Sequence, residues 1–203
     1  MLSIITTKEL FSAIITGLTT SAIFLIILWQ LRPRFEISNT ICREMTELNG
    51  ELIPLFYFKI INKSPFFKVY DVKIKAFICQ EVNNLNGNDS QFSIVPFDFN
   101  SLSKVERFNF RHYGQNLFFG DKNIKTRSNY AAQFFTKVDA REELMQQGKS
   151  ISFQVIAKHS LSGFTRVKTM TYNHALRVKD GRFLSGNTFK ILQNQPVMAI
   201  NTD

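Results

Sequence analysis

The chain has 203 residues, a formal net charge of +9, an aromatic share of 13 % that includes 21 phenylalanines, and two cysteines. Two cysteines exclude a disulfide scaffold, and short apolar runs rich in phenylalanine exclude a chain too polar to fold. Residues 1–34 carry a net +2 and the remainder +7, so the larger part is basic and suited to anionic partners.

Residues 10–31 form an uncharged stretch of 22 that stops at Arg32-Pro33-Arg34. At ~1.5 Å per residue it can cross a hydrocarbon core of about 30 Å, which predicts a transmembrane helix after a short head, residues 1–9. The stretch is too long for a signal-peptide core, and no small-residue cleavage site precedes the arginines, so a retained helix is expected. Arg32, Arg34 and Arg43 lie after it, whereas Lys8 before it is opposed by Glu9. The positive-inside rule therefore places the N-terminus outside and the remainder in the cytoplasm, in a single-pass protein of the cell membrane. Trp29 sits near the cytoplasmic end, as interfacial aromatics do. Ala13, Gly17 and Ser21 recur every four residues, with Thr16 and Thr20 beside them. That spacing is either a face for a second helix, in a homo-oligomer or with a membrane partner, or ordinary membrane-helix composition.

After Pro33, residues 34–38 read as a strand, 43–51 as a polar connection, 53–61 as a strand, and Asn62-Lys63-Ser64-Pro65 as a turn. Residues 67–82 read as one long strand, with Val72, Ile74, Ala76 and Ile78 on one face and Lys73 and Lys75 on the other. Cys79, in the same run, reads as a small buried hydrophobe, and both thiols as reduced. Residues 83–90 read as a loop, 92–99 and 105–110 as short strands, 111–125 as irregular, and 130–138 as a strand. Asp139 caps a short helix over 139–147, ahead of Gly148. Strands at 151–158 and 164–172 form a hairpin through His159-Ser160-Leu161-Ser162-Gly163. Pieces at 181–184 and 188–192 close the domain, and 193–203 is a flexible tail. Roughly seven to nine strands and one short helix predict a mainly β chain, a β-sandwich over residues 34–192.

Two groups of residues carry a resemblance: Asn62-Lys63-Ser64 with Val69-Tyr70-Asp71-Val72-Lys73-Ile74, and Ser162-Gly163 with Tyr172 and Gly181-Arg182-Phe183. A membrane helix feeding such a domain resembles the cytoplasmic immunoglobulin-like domain of inward-rectifier potassium channels. It is also similar to small bacterial proteins that pair one helix with that domain. The resemblance implies an immunoglobulin-like sandwich and a role in oligomerisation or ligand sensing. A single helix and the lack of a Thr-Val-Gly-Tyr-Gly pore loop set this chain apart from the channels themselves.

Catalytic patterns are wanting. His112, His159 and His174 have no ligand or triad spacing, and no Gly-x-Ser-x-Gly, P-loop or dinucleotide fingerprint occurs. Asn86-Gly87-Asn88-Asp89 lacks the further positions of a calcium loop and reads as a turn. No enzyme activity, cofactor or metal is expected. Arg32 and Arg34, with Lys158, Arg166, Lys168, Arg177, Lys179 and Arg182, form either a solvated basic face or a surface for anionic headgroups or a nucleotide. Arg166 and Lys168 share one strand face, opposite Val167. No run of five basic residues occurs, and no duplex nucleic acid is expected. The functional expectation is a membrane-anchored interaction or sensing module. The alternative is a membrane-disrupting effector, as in bacterial defence, gated by a nucleotide or another anion.

Overall fold

The computed structural model describes residues 7–48, 50–64, 67–84, 87–106 and 131–193. Helix α1 (Thr7–Gln30) comes first, and its part Lys8–Leu28 has a mean hydropathy of 2.2 with none of it buried against the rest of the chain. It is long and apolar enough to cross a membrane. Thr16, Thr19 and Thr20 return their hydroxyls to the carbonyls of Ser12, Ile15 and Thr16 at 2.8–2.9 Å, so these polar groups are satisfied within the helix. The Leu31 amide closes the last turn on Ile27, and Pro33, which cannot continue a helix, follows.

Twelve strands are found among the described residues: β1 (Phe35–Ile37), β2 (Ile41–Leu48), β3 (Glu51–Asn62), β4 (Val69–Asn84), β5 (Gly87–Ile94), β6 (Ser101–Val105), β7 (Ala131–Thr136), β8 (Lys149–His159), β9 (Thr165–Tyr172), β10 (Val178–Asp180), β11 (Arg182–Phe183) and β12 (Ile191–Leu192). One sheet centres on β3: β2 and β1 pair successive stretches of one edge, β7 takes the other edge, and β10 adds in parallel to β2. In the second sheet β5 and β6 share one edge of β4, with β8 and then β9 on the other. Helix α2 (Ala140–Met145) is capped by the Asp139 carboxylate, which accepts from the amides of Arg141 and Glu142.

The inner faces of the two sheets share one core. Phe58 of β3 stacks on Phe153 of β8 at 4.6 Å between centroids, and Tyr172 and Phe97 meet Phe58 edge-on. Each such ring contributes about 2–3 kcal/mol by leaving water. The buried Tyr172 hydroxyl donates to the Ser38 carbonyl at 2.7 Å, tying β9 to the stretch after β1. Burial pushes the Tyr172 phenol well above its ordinary range. Val72, Ile74 and Ala76 point into this core and Lys73 and Lys75 away from it, as the alternation predicts.

Several expectations need correction. Residues 43–51 are mostly strand: β2 runs to Leu48, in register with β3 from Cys42↔Tyr57 to Leu48↔Glu51. The hairpin extends past the core, so both faces meet water and apolar alternation is lost. The expected loop at 83–90 is paired strand at 83–84 and 87–90, where β4 and β5 stay in register from Phe77↔Ile94 to Asn84↔Gly87; residues 85–86 lie outside the described residues. The strand expected at 92–99 ends at Ile94, and the one expected at 105–110 is instead β6, at Ser101–Val105; residues 107–110 lie outside the described residues. So do 111–125 and His112. Cys79 is only half-buried, because it lies on the outer face of β4, opposite Ile74 and Ala76. Cys42 is the buried thiol.

The outer face of the first sheet is covered by the β11–β12 ribbon. Lys59, fully buried, donates to the carbonyls of Leu184 (2.5 Å) and Thr188 (2.7 Å), with its ammonium 5.8 Å from the Phe183 ring centre. Desolvation lowers its pKa from 10.5 to about 8. The Cys42 thiol donates to the Gly181 carbonyl at 3.0 Å and is pushed up to about 12, mainly by burial and then by Glu44. Gly181 has φ +137°, and a Cβ there would collide with the Leu192 carbonyl, so only glycine fits.

Candidate functional site between helix and sandwich

Four residues, 31–34, lead from α1 to β1, and the sandwich grips their backbone. Ser162, in the β8–β9 loop, donates its hydroxyl to the Leu31 carbonyl at 2.8 Å. Arg166, at the start of β9, donates to the Pro33 carbonyl at 3.1 Å. The Lys63 amide donates to the Arg34 carbonyl at 2.8 Å. Pro33 is buried, while the side chains of Arg32 and Arg34 are exposed. The linker is thus held as part of the domain rather than left as a flexible tether.

The gripping loop is shaped by His159, the last residue of β8. Its Nδ1 accepts from the amides of Leu161 and Ser162, both at 3.3 Å, and lies 3.2 Å from the Ser162 hydroxyl. The ring is buried and packs on Phe67 at 4.6 Å. Burial lowers its pKa, so the imidazole is neutral; an accepting Nδ1 puts the proton on Nε2, which has no partner among the described residues. Ser162 spends its proton on Leu31, and Nδ1 already accepts two amides, so the two do not make a nucleophile and base. His174 is exposed and makes no capping side-chain bond.

Beside the linker an open cleft of about 550 Å³ is lined by Arg32, Arg34, Phe164, Thr165, Arg166 and Val167. The expected basic surface is therefore gathered only in part. Lys168 follows Arg166 on the same face of β9, with Met170 and the buried Tyr172 beyond it. Lys158 is bound to Asp71 at 2.7 Å, on the outward side of a bulge where Asp71 takes φ +47°. That ion pair, with Lys73 nearby, holds the Asp71 carboxyl below its ordinary range. Arg182, exposed on β11, reaches Glu44 at 3.6 Å, Lys179 lines a separate recess of about 180 Å³ with Asn39 and Lys190, and Arg177 is exposed at the end of a 3-10 turn.

On α1 the residues Ala13, Thr16, Gly17, Thr20 and Ser21 are all exposed, and nothing lies within 4 Å of the Cβ position at Gly17. Among the described residues no cluster of three potential metal ligands occurs. Sequence reasoning found the arginines flanking the helix but missed the grip of Ser162, His159 and Lys63. Those contacts join residues more than a hundred positions apart for Ser162, and turn composition at 160–163 was their sole local trace. No protein-family model matches the chain, and no curated protein matches it.

Proposed function

We propose that the chain is a non-enzymatic, single-pass membrane protein whose immunoglobulin-like sandwich serves as a cytoplasmic interaction or sensing module. The observation that carries this reading is the junction: an apolar helix with no partner among the described residues, gripped by the sandwich through the linker carbonyls of Leu31, Pro33 and Arg34. Such a junction transmits a change at the domain to the helix, or the reverse, without slack. The open space at Gly17 supports self-association or a membrane partner through the Ala13–Gly17–Ser21 face. The arginines after the helix support a cytoplasmic domain.

Membrane fractions extracted with alkaline carbonate should retain the full chain, and its release would overturn the reading. In detergent, the mass of the unaltered chain should exceed that of Gly17→Ile, whose side chain blocks close helix approach; equal masses remove self-association through this face. The second reading, an effector that disrupts membranes on binding a nucleotide or another anion, is favoured by the arginine cleft beside the helix. It requires ligand-dependent growth arrest on expression, and unimpaired growth removes it.

A further inference from the structure

We infer that the cleft at residues 32–34 and 164–167 is a binding site for the phosphate of an anionic phospholipid headgroup. This rests on the membrane-anchored reading and names the ligand of that junction. The apolar span ends at Leu28, and Arg32 and Arg34 follow it within six residues. At no more than about 3.5 Å per residue, Arg32 and Arg34 follow the span closely enough for their long side chains to reach back to the headgroup layer. Because the carbonyls of Leu31, Pro33 and Arg34 are tied to the sandwich, the linker cannot swing away from the cleft.

The charge at this place is unspent. Elsewhere, Arg43 and Arg141 share Asp180, Lys68 and Lys104 share Glu106, and Lys149, Lys158 and Arg182 each have a carboxylate. Among the described residues, Arg32, Arg34 and Arg166 have none within 4 Å, and no acidic side chain lines the cleft. Arg166 uses one donor on Pro33, which fixes its guanidinium while leaving further N–H groups for a phosphate in the forked geometry the two groups share. Apolar groups line the same cleft: Phe164 is 40 % and Val167 53 % exposed. Arginines beside exposed apolar side chains suit a headgroup with its glycerol and acyl stem better than a free anion. A choline headgroup brings its own cation towards the arginines and cancels the attraction.

Trp29, the sole tryptophan, lies just before the cleft in sequence and reports on the lipid beside it. The full-length chain is placed in bilayers of phosphatidylcholine and phosphatidylglycerol, with bromine on the acyl chains of one lipid or the other as quencher. Brominated phosphatidylglycerol should quench Trp29 more than an equal fraction of brominated phosphatidylcholine. Arg32→Gln, Arg34→Gln and Arg166→Gln should each reduce that preference by up to about fivefold, and the triple variant should abolish it. Lys137→Gln, which removes the same charge beyond the far end of β7, should leave it unchanged. Equal quenching by the two lipids in the unaltered chain overturns the site while leaving the membrane anchor standing. Quenching by neither lipid overturns the anchor itself. A preference erased by millimolar inorganic phosphate overturns the lipid as source and assigns the cleft to a soluble phosphate.

Discussion

The C-terminal ribbon is fastened to the sandwich by buried groups whose partners are already in place, whereas the linker from α1 is fastened in part by Arg166, which keeps bonding capacity and faces water. Under the ribbon, the Lys59 ammonium and the Cys42 thiol end on carbonyls of the segment they hold, and Phe183 is 4 % exposed. At the linker, Arg166 makes one bond with a group that can make five, and Arg32 and Arg34 have no carboxylate among the described residues. The first arrangement resists change because opening it strands buried polar groups, at about 1–3 kcal/mol each. The second can take a ligand without losing anything it already has. The difference separates a structural clasp from a responsive junction on one sandwich.

The severest way to break the clasp is Gly181→Ala. The methyl group meets the Leu192 carbonyl and forces an unfavourable φ, and the Gly181 amide and carbonyl bonds to Arg43 and Cys42 go with it. A loss of about 3 kcal/mol is expected, read as a lower urea midpoint for the detergent-solubilised chain. Preferential quenching by phosphatidylglycerol should be unchanged. If Gly181→Ala altered the lipid preference as well, clasp and junction would be one coupled unit and the contrast between them would fail.

Lys59→Met keeps the volume and removes the ammonium, leaving the Leu184 and Thr188 carbonyls unpaired, for a loss of about 1–2 kcal/mol at neutral pH. Its pH behaviour is the sharper measure. The folded value, about 8, lies below the ordinary 10.5, so between these limits the unfolded chain binds more protons and stability rises with pH. The two carbonyl acceptors resist deprotonation, so the rise stays below the roughly 3 kcal/mol that such a displacement carries. Urea midpoints taken across this window should climb in the unaltered chain and flatten in Lys59→Met. An equal climb in both would show that some other group titrates there.

Much of the sandwich was legible because its central strands carry a periodic signal. Val72 to Ala76 alternate in burial as their sequence alternates in polarity, and Asp139 announces α2. The projecting end of the β2–β3 hairpin was not legible, since its side chains are mostly exposed and apolar alternation is lost, and the paired ends of β4 and β5 were not, since their Asn-, Gly- and Ser-rich sequence reads as a loop. Lys59 was illegible for the opposite reason. A lysine in a strand reads as solvent-facing until a distant ribbon is known to cover it. The helix and its flanking arginines were plain in the sequence, but the cleft was not, because its second wall comes from β9 and the loop before it.

The smallest expected effect tests the junction against the clasp most directly. Arg166 is exposed and its bond to Pro33 is one of three holding the linker, so Arg166→Gln should change stability by less than about 0.5 kcal/mol. Glutamine can still donate to a carbonyl, but it carries no charge and offers no fork to a phosphate. The urea midpoint should therefore hardly move while the preference of Trp29 for brominated phosphatidylglycerol drops. Gly181→Ala should give the reverse: a large shift in midpoint and an unchanged preference. A large loss of stability in Arg166→Gln would mean that its bond to Pro33 is structural in the same sense as the Lys59 clasp. The charge around the cleft would then be incidental to the grip and no mark of a ligand.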